Sequence, residues 1–146
     1  MTDRELVALA EDAMTRAYAP YSRFHVGAAL LCADGAVYTG CNIENAAFGP
    51  SVCAERVAFF SAVRDGERDF VKIAVVGGPG GKIRSFTAPC GVCRQVMREF
   101  CRDDFTVLAF DGERVRSTSL IDLLPESFSP ADLAEDKADK EDEPCG

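Results

Sequence analysis

Segments of helical and of extended hydrophobic periodicity alternate along the first 124 residues, in the order α-β-β-α-β-α-β-β-α. The helical segments cover about 2–17, 53–64, 90–101 and 119–124, and the extended segments cover 24–32, 36–40, 71–77, 105–110 and a stretch from 115. Elements mixed in this way bury their apolar surfaces when helices cover both faces of one sheet. We therefore expect an α/β protein with three layers, α/β/α, around a central mixed five-stranded sheet.

Local signals predict where several of these elements begin and end. Thr2 and Glu5 have the spacing of a capping box, and helical spacing then continues to about Ala17. Ser51 is placed to cap the helix over 53–64. An Asp-Gly pair between the first two extended segments predicts that they form a β-hairpin.

The net charge of −8 is concentrated near the end of the chain. Residues 131–146 hold seven acidic and two basic side chains, whereas residues 1–130 hold 17 acidic and 14 basic ones. This contrast predicts a domain over 1–130, followed by an acidic and disordered tail over 131–146. The chain has no basic stripe of the kind that binds a phosphate backbone, so we expect no nucleic-acid partner.

The sequence lacks two signals that would indicate a location outside the cytoplasm. No apolar run approaches the ~18 residues that a membrane span needs, so we expect no association with a membrane. The N-terminus lacks a basic region followed by an apolar core, which argues against a secretory signal. We predict a cytoplasmic protein.

Seven cysteines are a large and odd number for 146 residues. In a cytosolic chain they are expected as reduced thiols that bind a metal, take part in catalysis or lie buried. Three of them stand near expected helix starts, in the stretches CAE (53–55) and PCGVC (89–93). Three thiolates suit a tetrahedral Zn²⁺ whose fourth position is left to water. Glu55 is placed to take a proton from that water and deliver it to a leaving group.

These cysteine motifs match the pattern of the zinc-dependent base deaminases, and the flanking residues narrow the match. The segments FHVGAA (24–29), NIENA (42–46), CAER (53–56) and PCGVCRQ (89–95) together resemble the short, three-cysteine cytidine deaminases. The resemblance covers about 6–128, which is nearly the whole chain apart from the tail. It implies a cytidine-deaminase-like fold.

The resemblance also implies a hydrolytic reaction of pyrimidine salvage, in which cytidine and deoxycytidine become uridine and deoxyuridine and ammonia is released. Cys53, Cys90 and Cys93 would hold one Zn²⁺ per subunit. Glu55 would carry protons from water to N3 of the base and then to the departing amine. Arg56 would donate to the thiolate sulfurs and disperse their excess negative charge.

Substrate contacts follow from the same resemblance. Asn42 and Glu44 would bind the ribose 3′-hydroxyl, which is both donor and acceptor and suits an amide beside a carboxylate. The Glu44 carboxylate would repel a 5′-phosphate, so the expected substrate is a nucleoside. Phe24 would pack against the base, and Ala54 would contact the substrate. Phe128 would stack on the base in a neighbouring subunit's site, which implies the homotetramer with shared active sites that is usual for this class.

Phe48 departs from the family pattern, because many relatives have tyrosine at this position. If that hydroxyl helps to bind the sugar in the relatives, the contact is missing here. The difference bears on affinity more than on the type of reaction.

Other interpretations of the cysteines stay open at this point. A structural zinc site would need a fourth protein ligand, for which Cys41, Cys101 and His25 are the candidates. Cys90 and Cys93 could form a redox pair instead. His25 could be an ordinary strand residue. The simplest interpretation of the other thiols is that Cys32, Cys41 and Cys101 are small buried hydrophobes and that Cys145 is an exposed thiol of the tail.

Alternatives also remain for the substrate residues and for the function. Asn42 and Glu44 could merely stabilise a turn, and Phe24 and Phe128 could belong to the core. A deaminase of another cytosine compound, such as blasticidin S, would share the cysteine motifs but not the segment at 42–45. A zinc-stabilised binding module would hold metal without catalysis, and the presence of Glu55 speaks against it.

Overall fold

A mixed five-stranded sheet forms the centre of the protein, whose computed structural model describes residues 1–134. The helices are α1 (Asp3–Met14), α2 (Ala54–Arg64), α3 (Gly91–Phe100), α4 (Leu120–Leu123) and α5 (Pro130–Leu133). The strands are β1 (Phe24–Cys32), β2 (Val37–Cys41), β3 (Phe70–Pro79), β4 (Thr106–Phe110) and β5 (Val115–Ser119). This order is the predicted one with α5 added at its end. None of the helices within these residues is long and apolar enough to cross a membrane.

The strands lie in the order β2-β1-β3-β4-β5. β1 is antiparallel to both β2 and β3, β3 and β4 are parallel, and β5 is antiparallel to β4. The predicted hairpin between β1 and β2 turns at Gly35, whose φ of 91° is open to glycine without strain. α3 lies in the crossover that a parallel pair requires. The start of α3 therefore follows the carboxyl end of β3, the edge where α/β folds bind ligands.

Helices cover both faces of the sheet, as predicted. α1 packs against one face, and α2, α3 and α4 pack against the other. Successive residues of β1 and β3 enter opposite cores because side chains alternate along a strand. The core beneath α1 contains Leu6, Val7, Ala10, Met14, Ala29, Ala74, Val76, Leu108 and Phe110. The second core contains Leu30, Ala58, Phe59, Ile73, Val75, Met97 and Leu120, among others.

The first helix ends earlier than its hydrophobic spacing predicts. α1 was expected to reach Ala17, but it ends at Met14. Beyond it, the Tyr18 N–H donates to the Asn42 carbonyl at 2.9 Å, and the Tyr18 carbonyl accepts from the Glu44 N–H at 2.8 Å. These bonds form an isolated parallel bridge to the loop after β2. Long-range pairing therefore overrides the local preference for helix.

The expected cap of α2 is also wrong. Cys53, and not Ser51, is the N-cap residue, and its side chain makes no capping hydrogen bond. The hydroxyl of Ser51 instead accepts a hydrogen bond from the Asn45 N–H at 3.0 Å. The Ser51 hydroxyl therefore stabilises the loop before α2 and does not cap the helix.

The predicted boundary between domain and tail falls inside a helix. Residues 131–133 were expected to be disordered, but they belong to α5. Asp132 stabilises the start of this helix, because its carboxylate accepts from the Ser129 N–H at 2.8 Å. The remainder of the predicted tail from 135 onward, including Cys145, lies outside the described residues.

Gly40 of β2 allows α2 to approach the sheet closely. A Cβ on this residue would lie 2.3 Å from the Ala54 carbonyl oxygen and 2.7 Å from the Ala58 nitrogen. Both atoms belong to the helix backbone and cannot rotate away, as the end of a side chain could. A glycine at this position therefore sets the distance between the sheet and the first turn of α2.

Gly40→Ala should lower the free energy of unfolding by about 1–3 kcal/mol, because the new methyl group pushes against helix backbone in a packed core. Denaturant unfolding of the variant and the unaltered protein measures the difference. Gly49→Ala is the matched control, since a Cβ there has no neighbour closer than 3.9 Å. Equal losses in the two variants would contradict the steric role of Gly40.

Candidate metal centre and active site

Two helices begin at the same place, and each starts at a cysteine. Cys53 is the N-cap of α2 and Cys90 is the N-cap of α3, both with extended backbone and without a side-chain capping bond. Cys93 lies in the first turn of α3. The Cys53 and Cys90 Sγ atoms are 3.7 Å apart, and the three sulfurs lie within 4.8 Å of one another. The structure therefore brings together the three thiols that the sequence singled out.

The spacing of these sulfurs fits a tetrahedral zinc ion. Zn–S bonds of about 2.3 Å at tetrahedral angles place two sulfurs about 3.8 Å apart. The observed 3.7 Å between Cys53 and Cys90 is close to this value. Within residues 1–134, none of the proposed fourth ligands Cys41, Cys101 and His25 belongs to the cluster. A set of three thiols leaves one position of a tetrahedral ion open, as catalytic zinc sites require.

The electrostatics of the cluster favour a thiolate at Cys53. A hydrogen bond from Cys93 and another from Arg56 lower the pKa of Cys53 to about 5, against the opposing effect of burial. The Arg56 Nη2 lies 3.5 Å from the Cys53 sulfur. The partial positive charges at the two helix N-termini act in the same direction. The site thus stabilises negative charge on the Cys53 sulfur, which is the form that binds a metal, whereas the hydrogen bond to Cys53 and burial raise the pKa of Cys93.

Glu55 follows directly in the first turn of α2 and is buried, with 4% of its surface exposed. Burial raises its pKa to about 7, and the negative charge of Cys53 adds to this effect. A buried carboxyl with a pKa near neutrality can both accept and donate a proton. Because Glu55 lies on the same turn as Cys53, its carboxyl is close to the three thiols.

A cavity of about 350 Å³ opens onto the cluster. Of the residues predicted from sequence, it is lined by Asn42, Glu44, Cys53, Glu55, Arg56 and Cys90. Cys93 is buried among the thiols and does not line the cavity. Ala54 is also fully buried, but it begins α2, so its N–H is among those left without an intrahelical partner.

Asn42 connects the cavity to strand β1. Its Oδ1 accepts a hydrogen bond from the Val26 N–H at 2.8 Å, and its Nδ2 donates to the Phe24 carbonyl at 2.8 Å. The amide therefore extends the pairing of β1 beyond the end of β2. One N–H and one lone pair of the Asn42 amide remain for a ligand.

Glu44 holds the loop before β1. Its Oε1 accepts from the Tyr21 and Ser22 N–H groups, each at 3.0 Å, and its Oε2 accepts from the Ser22 hydroxyl. The hydrogen bonds from Ser22 lower the pKa of Glu44, so this carboxyl is ionised at neutral pH. Glu44 thus stabilises a loop and lines the cavity at the same time.

The two predicted aromatic contacts lie outside the cavity lining. Phe24 is 37% exposed, at the start of β1. Phe128 is 60% exposed and lies after α4, where the Gln95 side chain donates to its carbonyl oxygen at 2.9 Å. Phe48 is exposed too, and its ring contacts the edge of the Tyr21 ring with centroids 5.9 Å apart. None of these three rings is a core residue.

Several residues of the cavity were not predicted from sequence. They are Val26, Ser51, Val52, Thr87 and Ala88. Thr87 and Ala88 immediately precede the PCGVC stretch, and Val26 follows Phe24 by two positions on one strand. Their position within or beside the motifs was therefore the signal that could have identified them. It is a weak signal, because the backbone conformation decides whether such a side chain faces the cavity.

The comparisons with known proteins agree with the geometry. Residues 1–109, which contain all three clustered cysteines, match the family described as "Cytidine and deoxycytidylate deaminase zinc-binding region". A cytidine deaminase of Sporosarcina psychrophila is 46% identical over 136 residues, which cover 92% of this chain and 96% of that protein. The crystal structure of a cytidine deaminase from Burkholderia pseudomallei has a TM-score of 0.81 at 48% identity, covering 88% of this chain and 100% of that one. A blasticidin-S deaminase of Bacillus cereus is 33% identical, over 87% of this chain and 92% of that protein.

Replacing any one of Cys53, Cys90 or Cys93 by serine should weaken zinc binding by more than about 100-fold, which exceeds the usual effect of losing a group that only supports a ligand. Metal content after dialysis against a chelator of known affinity measures the loss. Cys41→Ser is the matched control, because Cys41 lies outside the cluster and makes only a long hydrogen bond to the Arg16 carbonyl. Unchanged zinc affinity in the three variants would contradict the ligand set.

Proposed function

The chain belongs to the cytidine and deoxycytidylate deaminases, and we propose that it hydrolyses cytidine and deoxycytidine to uridine and deoxyuridine with release of ammonia. One observation carries the proposal: the three clustered thiols and the buried carboxyl of Glu55 meet at one cavity. At about 350 Å³, this cavity has the size of a site for a small organic molecule.

Cys53, Cys90 and Cys93 would hold one Zn²⁺ per subunit. When bound, the ion supplies a Lewis acid that generates a nucleophile from water near neutral pH. Three thiolates around a divalent cation leave a net charge of about −1, which weakens that Lewis acid. Arg56 offsets part of this charge, since its guanidinium donates to the Cys53 sulfur at 3.5 Å.

Glu55 is the proposed proton carrier. Its carboxylate takes a proton from water as the water oxygen bonds to C4 of the ring, and it gives a proton to N3. It then takes the second proton from the new C4 hydroxyl and gives it to the amine on C4, and the C4–N bond breaks as ammonia leaves. The water oxygen stays on the ring as the new carbonyl, so atoms and charges balance. The pKa of about 7 allows one carboxyl to act in both directions.

Asn42 and Glu44 are proposed to bind the sugar. The four lone-pair sites of the Glu44 carboxylate receive three hydrogen bonds from the loop, which leaves one for a ribose hydroxyl. The Asn42 amide keeps one donor and one acceptor. Because both side chains are already fixed by backbone partners, little conformational entropy is lost when a sugar binds.

The charge of Glu44 supports a nucleoside rather than a nucleotide. Its pKa is lowered by the Ser22 hydrogen bonds, so the group stays anionic at neutral pH. A carboxylate that faces the sugar would repel a 5′-phosphate across the small cavity.

The base is proposed to contact Phe24 and Ala54 of its own subunit and Phe128 of a neighbouring one. Phe128 does not line the cavity of its own chain, and 60% of its surface is exposed. The proposal therefore includes a homotetramer with shared active sites. Large apolar side chains on the subunit surface are available for contacts between subunits; they include Tyr21, Phe48, Phe60, Val92 and Phe128.

A cytoplasmic location is part of the proposal, because thiolate ligands need a reducing compartment. The six cysteines of the described part of the chain are all free thiols. Burial raises the pKa of Cys32 to about 11, so this thiol is neutral and unreactive at neutral pH.

The similarity to a blasticidin-S deaminase makes the deamination of that compound the second candidate function. Asn42 and Glu44 at the cavity favour a nucleoside, since both present hydrogen-bonding groups suited to a ribose hydroxyl. Parallel incubation with cytidine and blasticidin S, followed by measurement of ammonia release, distinguishes the two. Release from neither compound, with zinc bound, would support a binding module instead.

Glu55→Gln should keep its zinc and lose turnover of cytidine by about 10²- to 10⁴-fold, because an amide cannot carry the proton. The fall in ultraviolet absorbance of cytidine reports turnover, and metal analysis reports the zinc. A variant that turns over cytidine within about tenfold of the unaltered enzyme would remove Glu55 from the proposed role.

Glu44→Ala should raise KM for cytidine by about 10- to 100-fold, the usual value of a hydrogen bond to a charged group. The reaction with free cytosine, which has no sugar, should change much less. Ser22→Ala is the control for the loop, because it removes the hydroxyl that donates to Glu44 and accepts from the Phe24 N–H while the Glu44 carboxylate remains. If Ser22→Ala raises KM as much as Glu44→Ala does, Glu44 acts through the loop and not on the sugar.

The proposed assembly predicts a particle of about four times 15.7 kDa. Light scattering during size-exclusion chromatography measures this mass without assumptions about shape. A particle of one chain with full cytidine deaminase activity would contradict the sharing of active sites.

A further inference from the structure

Helix α3 carries two of the clustered thiols and also contacts the C-terminal part of the domain. The contacts are made by the two residues that follow Cys93. Arg94 donates from Nε to the Pro89 carbonyl at 2.8 Å and from Nη1 to the Leu123 carbonyl at 2.7 Å. Gln95 donates from Nε2 to the Phe128 carbonyl at 2.9 Å. The helix that begins at the metal cluster therefore binds the segment 123–128 at both of its ends.

The stretch 125–128 has little else to hold it. Among residues 1–134, the stretch belongs to no helix or strand and contains a turn at 125–126, and the one side chain that donates to its backbone is Gln95. The stretch also contains Glu126 at a φ of 48°, a left-handed conformation that non-glycine residues adopt only under constraint. The hydrogen bond from Gln95 to the Phe128 carbonyl constrains the end of this stretch.

The side chain of Phe128 does not fix this stretch either. With 60% of its surface exposed, the ring protrudes from the subunit and does not pack into it. Within its own subunit, the hydrogen bond from Gln95 to the Phe128 carbonyl therefore contributes to setting where the ring stands.

We propose that Gln95 is a positioning residue that acts through Phe128: its amide holds the backbone of Phe128 so that the ring is presented in a fixed place for the base. This inference rests on the proposed function, in which Phe128 contacts the substrate in a neighbouring subunit. The helix that carries Cys90 and Cys93 then organises two sites, one through its thiols and the other through the aromatic ring that it presents.

Fluorescence gives a readout that does not depend on activity, because the chain contains no tryptophan. Phe128→Trp places one fluorophore in each chain at the position in question. Gln95→Met in this background removes the donor without adding charge, and we expect the time-resolved anisotropy of the introduced indole to show faster local motion. Glu99→Met introduces the same side chain on the exposed side of α3, without loss of a hydrogen bond to 125–128; it is the control and should leave the anisotropy unchanged.

Kinetics in the native background tests the consequence for the reaction. Gln95→Met should raise KM for cytidine by about three- to tenfold, the range expected for one neutral hydrogen bond, with kcat and zinc content little changed. In the background of Phe128→Ala the same replacement should have no further effect, because the ring that Gln95 positions is gone.

Unchanged indole anisotropy on Gln95→Met replacement in the Phe128→Trp background would overturn the inference, and so would full additivity of Gln95→Met with Phe128→Ala. The single variant Phe128→Ala separates this failure from failure of the proposed function. If it raises KM while Gln95→Met does not, Phe128 contacts substrate but Gln95 does not position it. If neither variant changes KM, both the positioning role and the proposed contact of Phe128 with the base are wrong.

Discussion

The approach of two helix N-termini to one point is the constraint on which the site depends. α2 and α3 begin at Cys53 and Cys90, whose sulfurs are 3.7 Å apart. Two positive helix ends stabilise thiolates, and they repel each other unless the negative charge of those thiolates lies between them. The thiolates in turn bind the metal, which couples metal binding to folding. The sheet keeps them together, because α2 rests closely on Gly40 and α3 lies in the crossover between the parallel strands. Metal binding and the stability of this edge of the sheet are therefore linked.

The polar residues of the cavity have two tasks at once. Asn42 continues the pairing of β1, and Glu44 holds the loop before that strand. A side chain that is fixed by backbone partners is ready for a ligand, at the expense of the freedom to adapt to a different one. The turn-stabilising interpretation and the binding interpretation of these residues are thus compatible.

Most of the fold was predictable because its signals are local. Apolar periodicity predicted five strands and four helices in their correct order, and the Asp-Gly pair predicted the hairpin. The errors lie at the ends of elements, where partners distant in sequence decide. α1 stops at Met14 because Tyr18 pairs with the loop after β2, and Ser51 does not cap α2 because Asn45 uses its hydroxyl. In the cavity, Val26 and Thr87 were missed as lining residues. Val26 lies within the FHVGAA stretch and Thr87 just before PCGVC, and a motif alone does not show which side chains face the cavity.

The sequence by itself determined the chemistry of this protein: three thiols and one carboxyl at spacings that suit a metal and a proton carrier, within motifs that identify a family. Only the tertiary structure decided which of these groups meet. Cys53 and Cys90 are separated by 37 positions and come together through the stacking of two helices on one sheet face. The same packing left Cys41 and Cys101 outside the cluster and Phe128 exposed. Residue type and short spacing are local properties, whereas contact between distant residues depends on strand order and helix packing.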